Sequence, residues 1–252
     1  GLLNQTSGLQ PTQIMTDTAG YSDLIFGLFG LLGFQFSPRI ANKHGTKLWR
    51  IEKNADYGLL NDVTKSRINI DLIEEHWEDI LRVAGSLKSG KVNATELTRA
   101  LQRSGQPTSL GKAITEYGKV YKTKHQLRYL SDEIYARQIL EQLNKGESRH
   151  ALCRSIFYGR NGKLYQTYID GMEEQLTSLS VVTNAVIYWN TLYLEKVLEQ
   201  MKVEGYDCSE ELIGKLSPLL FEHINFVGKY SFQYNQGLED GSLRPLKTPD
   251  SL

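Results

Sequence analysis

Pro11-Thr-Gln-Ile-Met-Thr-Asp17 decides how the rest of this chain is read. It has the composition of a short strand, and it ends on an aspartate. An acid in that position projects from the edge of a sheet into accessible space. Thr18-Ala-Gly-Tyr-Ser-Asp23 follows as a turn. Leu24 to Phe34 is then predicted to form an apolar helix, in which Gly27, Gly30 and Gly33 allow close backbone packing. These glycines lack the G-x-G-x-x-G spacing of a dinucleotide fold, so tight helix packing is the better account of them.

Outward from there, Gln35 to Ile40 and Lys47 to Ile51 are short strand candidates with a Gly45 turn between them. From Asn69 the pattern turns helical almost to the end. Ile70, Ile73, Trp77, Ile80, Leu81 and Ala84 recur at spacings of three and four. Asn93 and Thr108 suit helix starts. Later helices are predicted over about 131–143, 147–158, 172–198 and 209–216, and a polar tail from Gln236 is expected to fray.

The chain has 252 residues and balances 29 Lys and Arg against 29 Asp and Glu. With 40% hydrophobic residues and 23% charged ones it fits a packed globular protein, not a disordered or collagenous one. No apolar run is long enough to span a bilayer. The first ten residues lack the basic and apolar regions of a secretory signal. Cys153 and Cys208 do not form a Cys-x-x-Cys pair, which argues against a zinc site and suits a reducing compartment such as the cytoplasm.

The zero net charge hides a division. Residues 82–128 hold ten Lys or Arg against two acids, a local +8, whereas residues 169–211 hold nine acids and two lysines, a local −7. A basic density of that kind is a footprint for a polyanion, and equally the solvated face of a helical segment. Tyr117, Tyr121 and Tyr129 interleave with it on one helical stripe and read as core, not as base-stacking platforms.

Three features could carry chemistry. Gly85-Ser-Leu-Lys-Ser-Gly-Lys91 has the spacing of a phosphate loop, but Val92 stands where Ser or Thr should hold magnesium and a helix precedes it, so a basic turn between helices is expected. The glycine series above is the second. The third is a pair of carboxylates, Asp17 and Glu147. Gly146 is expected to break a helix and Glu147 to open the next, where the helix dipole favours a charged acid. His150, Ala151 and Arg154 follow Glu147 at three, four and seven, so they share its face. One carboxylate beside two basic groups suits a metal ion with a phosphodiester against it.

Several strings, taken together and in order, resemble the C-terminal part of transposases of the Tn3 family. They are Thr16-Asp-Thr-Ala-Gly-Tyr-Ser-Asp23, Leu32-Gly-Phe-Gln-Phe-Ser-Pro-Arg39, Arg82-Val-Ala-Gly-Ser-Leu-Lys-Ser-Gly-Lys-Val92, Leu143-Asn-Lys-Gly-Glu-Ser-Arg-His-Ala-Leu152, Trp189-Asn-Thr-Leu-Tyr-Leu194 and Glu222-His-Ile-Asn225. The resemblance implies an α/β catalytic fold of the RNase H-like, retroviral-integrase-like type with an Asp-Asp-Glu triad. It assigns residues 1–68 to the last strands and helix of that core and 69–143 to a basic helical insertion. Residues 144–235 would carry the glutamate helix and the C-terminal helices, and 236–252 a flexible tail.

Asp17 matches the family's second aspartate and Glu147 its glutamate, both as catalytic metal ligands, with Arg154 at a basic position of the glutamate helix. No Asp precedes Asp17, so the triad's first aspartate is missing and an N-terminally truncated catalytic domain is expected. The implied cofactor is Mg2+, with Mn2+ as a substitute. The implied partners are double-stranded DNA, both transposon ends and target, and a second copy in the intact enzyme, with no membrane. A bacterial, nucleoid-associated setting follows. Candidate DNA contacts are Lys88, Lys91, Lys119, Lys122, Lys124, Arg128, Lys145, Arg149, His150 and Arg154. Two other classes compete with the enzyme: an inactive DNA-binding remnant, and a helical module whose basic block meets an acidic protein.

Overall fold

The Ser22 hydroxyl accepts from the Ile25 amide and so opens helix α1 (Asp23–Leu31) one residue earlier than its apolar run. The structure, a computed structural model, describes residues 8, 10–18, 21–42, 45–103, 105–163 and 168–229. The expected tail from Gln236 and part of the turn after Asp17 lie outside the described residues. Strand β1 (Gln13–Thr16) pairs in parallel with β2 (Gln35–Pro38), Gln13 opposite Gln35 and Thr16 opposite Pro38. α1 makes the crossover between them. Strand β3 (Trp49–Arg50) pairs in parallel with β4 (Ser66–Arg67). The two strand candidates flanking Gly45 therefore belong to different sheets.

Six helices follow β4 before the long acidic one ends: α2 (Ile70–Glu75), α3 (Trp77–Lys88), α4 (Ala94–Leu101), α5 (Ser109–Ser131), α6 (Glu133–Ile156) and α7 (Ile169–Val203). A two-residue hairpin, β5 (Gln102–Arg103) with β6 (Gln106–Pro107), separates α4 from α5. Asn93 and Thr108 cap α4 and α5 with their side chains, as their positions before helical runs predict. The apolar period from Ile70 breaks at His76, where the backbone leaves the helix. The phase resets there, so Ile80, Val83 and Leu87 are buried while Trp77 and Leu81 stay exposed. α3 runs through Gly85, and Gly90 takes a positive φ of 68° after its last turn. The phosphate-loop spacing is thus a basic turn between helices, as expected.

Contacts divide the chain into two units, residues 1–143 and 144–252, with the division inside α6. The core of the first unit joins Leu24 and Leu28 of α1 to Ile68, Ile73, Ile80, Leu87, Leu101, Ala113 and Ile114. α1 lies directly on α5 because glycines remove the side chains between them. A methyl group on Gly27 would strike the Ile114 carbonyl, and one on Gly118 would strike the Asp23 carbonyl. Gly30 gives its space to the Tyr121 ring, 2.8 Å from where a Cβ would stand. Gly33 differs from the other two. Its φ of 81° ends the helix, and nothing lies near its Cβ position. Tyr117 is partly buried against this core, and Tyr129 is buried with Ile40, Tyr135 and Ile139.

In the second unit the end of α6 packs on α7. Leu152 and Thr183 are fully buried, and the Cys153 sulfur lies 3.4 Å from the Thr183 hydroxyl. α7 is longer at both ends than its sequence period suggests. The short α8 (Glu210–Ile213) follows, and Ser209 precedes it. No helix among the described residues is long and apolar enough to cross a membrane.

Candidate active site

Asp17 directly follows β1 and is exposed. Its strand is parallel to β2, so Asp17 and Arg39 leave the sheet at the same, carboxyl end; the Arg39 amide donates to the Thr16 carbonyl at 2.9 Å. That edge is where open parallel sheets bind ligands. Arg39 is exposed as well, and no acid among the described residues forms an ion pair with it.

What holds this edge is a chain of buried hydrogen bonds that sequence reasoning missed. His125 Nε2 lies 2.9 Å from the Pro38 carbonyl, and its Nδ1 lies 3.0 Å from the Tyr135 hydroxyl. A carbonyl can only accept, so Nε2 carries the proton of the neutral ring. Nδ1 must then accept from Tyr135. The Tyr135 oxygen, its proton spent, accepts from the Ser37 hydroxyl at 2.7 Å. Ser37 in turn accepts from the Gln13 amide at 3.0 Å, and Gln35 donates to Tyr135 at 3.1 Å. Burial pushes the His125 pKa down; the bond to Pro38 opposes this and the nearby Arg128 charge adds to it. The neutral ring is the form the network needs. β1, β2, α5 and α6 are thereby fastened together one residue away from Asp17. The sequence signal is slight: His125 sits in a basic run and reads there as one more cation.

Glu147 is not at a helix start. α6 passes through Gly146 without a break, and Glu147 stands in its middle, so the helix dipole gives its charge no support there. Glycine costs a helix interior only about 1 kcal/mol relative to alanine, and the strong formers on both sides outweigh it. The real break is Asp132, whose backbone is extended. Its carboxylate accepts from the Tyr135 amide at 2.9 Å. The expected face does exist: Glu147, His150 and Arg154 are exposed, with His150 Nδ1 4.0 Å from a Glu147 oxygen. Asp17 belongs to the first unit and Glu147 to the second. Among the described residues no group of three or more His, Cys, Asp or Glu converges as a metal site.

The candidate DNA contacts separate into two kinds. Lys88 and Lys91 flank the Gly90 turn and are exposed, as are Lys124, Arg128 and Lys145. Lys119 instead pairs with Glu116 at 2.5 Å, and Lys122 pairs with Asp23 at 2.6 Å, joining α5 to α1. Lys122 also lies 5.1 Å from the Trp49 ring centre. Arg149 is turned toward Cys153 and Asn184 in its own unit. A second missed cluster lies in the second unit. The Asn190 amide donates to the Pro218 and Leu220 carbonyls, both at 2.8 Å, and its oxygen accepts from His223 Nε2 at 3.0 Å. The Trp189 and His223 rings stack.

The family profile described as "Tn3 transposase DDE domain" matches residues 1–230. The chain belongs to this family. It is 48% identical over 246 residues to the transposase for transposon gamma-delta of Escherichia coli (strain K12), covering 98% of this chain and 25% of that protein. It is 46% identical over 248 residues to the transposase for transposon Tn4556 of Streptomyces fradiae, 98% of this chain and 27% of that protein. It is 40% identical over 247 residues to the transposase for transposon Tn1546 of Enterococcus faecium, 98% of this chain and 25% of that protein. The chain therefore spans about a quarter of the length of the curated relatives it matches. As a Tn3 transposase DDE domain, it carries its Asp17 and Glu147 strings inside the matched region, and the bond between buried Asn190 and exposed His223 joins two more of the strings that resemble the family.

Proposed function

We propose that this chain carries out part of the phosphoryl transfer of DNA transposition, within a DDE transposase whose catalytic core is RNase H-like with a large helical portion. The observation that carries this reading is an exposed aspartate at the carboxyl end of a parallel strand, in a chain matched by the DDE family over residues 1–230. Asp17 and Glu147 are the proposed catalytic carboxylates and the proposed ligands of divalent ions. Their oxygens are hard donors, which fits Mg2+ and also Mn2+. When bound, such ions generate an oxygen nucleophile at neutral pH and neutralise charge on the transferring phosphoryl group.

The chain's own residues then have separable roles. Asp17 and Glu147 supply ligand oxygens. His150 and Arg154 orient Glu147 or meet a phosphate. Lys88, Lys91, Lys124, Arg128 and Lys145 lie against the backbone of transposon-end or target DNA, contacts that position the duplex without reading sequence. Lys119, Lys122 and Arg149 are engaged inside the protein and contribute less to DNA than their charge suggests. The intact enzyme works as a dimer on double-stranded DNA in the bacterial cytoplasm. The reaction is cleavage at the transposon 3′ end followed by attack of the freed hydroxyl on target DNA. Asp17 and Glu147 are two of the three carboxylates that a DDE site uses, so DNA cleavage is expected of the full-length enzyme and not of these two residues alone.

The test uses both the chain and a full-length transposase carrying it. Mn2+ binding to the chain, followed by the loss of free-ion EPR signal, should weaken about tenfold in Asp17→Asn and in Glu147→Gln, in line with the loss of one ligand. Glu147→Gln in the full-length enzyme should abolish strand transfer while leaving DNA binding and folding intact. Normal strand transfer in that variant would remove Glu147 from the site. An inactive DNA-binding remnant would bind DNA but show no carboxylate-dependent Mn2+ binding, and a protein-interaction module would show neither.

A further inference from the structure

A cavity of about 290 Å³ opens beside the His125 network, within the first unit. Its walls are flat and apolar: Phe34, Phe36 and Tyr121. Its exposed mouth carries Gln35, Lys124 and Arg128. The space exists because Gly30 has no side chain, so the Tyr121 ring lies against the α1 backbone instead of being pushed across the opening. Its floor is chemically closed. Both His125 nitrogens and the Tyr135 hydroxyl are committed to the network, so they cannot read hydrogen-bonding groups on a ligand. Lys124 forms no ion pair among the described residues; Arg128 lies 3.7 Å from Asp132 and its guanidinium sits over the Tyr135 ring, 4.1 Å from the ring centre, with its outer edge at the exposed mouth.

We infer that this cavity takes one unstacked base of a DNA strand, with its phosphate held by Lys124 and Arg128; this rests on the DNA reading above. Planar apolar walls suit a planar ring, the two cations suit the phosphate on the same nucleotide, and a floor without free polar groups makes capture tolerant of base identity. The register sets its place. Gln35 lies opposite Gln13, four residues before Asp17 on β1. At about 3.3 Å per residue that is roughly 13 Å along the strand.

The experiment is photocrosslinking of the full chain to a single-stranded oligonucleotide carrying 5-iododeoxyuridine at successive positions, with bound fraction measured separately by fluorescence anisotropy. The expected result is a crosslink on peptides containing Phe34, Phe36 or Tyr121, with yield per bound oligonucleotide about tenfold lower in Gln35→Trp, which fills the mouth. Lys124→Ala with Arg128→Ala, both at exposed positions, should lower that yield similarly and provides the test if Gln35→Trp does not fold. Anisotropy showing binding while crosslinks map elsewhere, or persist undiminished in the variants, would overturn the cavity assignment and leave the DNA reading standing. Absence of any oligonucleotide binding would bring down both.

Discussion

His125 shows how one residue's protonation state can be derived from its neighbours. The Pro38 carbonyl forces the proton onto Nε2, and Tyr135 must then donate to Nδ1. A second proton would put two donors face to face, with Arg128 close by and burial opposing the charge. The folded pKa therefore lies below the unfolded one, near 6.5. The sign follows from linkage: the stabilisation is complete above about pH 6.5 and is lost as pH falls toward the folded value, at no more than about 1.4 kcal/mol per pH unit for one proton. Thermal unfolding of wild type and His125→Gln between pH 7.5 and 5 should show a steeper acid loss in the wild type. Parallel curves would mean that the ring does not titrate against folding.

At the scale of the element, α6 is easily misread because Gly146 looks like punctuation and Asp132 does not. Glycine at 146 has open space around its Cβ position and keeps an ordinary helical backbone. Asp132 leaves the helix and caps the next one. Two substitutions should therefore move stability in opposite directions. Gly146→Ala is expected to stabilise by about 0.5–1 kcal/mol, since it removes unfolded-state freedom without a clash. Asp132→Ala should destabilise by about 1 kcal/mol through the lost cap. Urea denaturation of both variants checks this, and a destabilised Gly146→Ala would show that a break exists there after all. α1 and α5 are more legible. The glycine spacing predicts close packing, although the partner glycine, Gly118, lies 85 residues beyond Gly33 with nothing to link them in one dimension.

For the whole molecule, local charge is not available charge. The +8 block loses part of its reach because Lys119 and Lys122 turn inward to Glu116 and Asp23. The Lys122 and Asp23 side chains are only 17% and 21% exposed, so breaking the pair leaves a poorly solvated carboxylate. Lys122→Ala should cost about 1–3 kcal/mol of stability and barely alter the salt dependence of DNA binding. Lys88→Ala with Lys91→Ala should do the reverse. Stability should hold, and the slope of log affinity against log salt should shallow by nearly two, about 0.9 for each phosphate no longer neutralised. A Lys122 variant that loses the slope would put that lysine on the DNA.

Local chemistry determined a good deal of this protein unaided. The strand ending at Asp17, the caps at Asn93 and Thr108, the packing glycines and the shared face of Glu147, His150 and Arg154 were all legible, because each depends on neighbours within a few residues. Only the tertiary structure decided which cations remain available, why His125 stays neutral, where the base-sized cavity opens, and how Asn190 ties His223 to α7. Apart from the Lys119–Glu116 pair within one helical turn, each of those depends on groups brought together from well-separated parts of the chain. Whether such groups are paired, buried or exposed is set by the packing that brings them together, and no spacing along the chain encodes it.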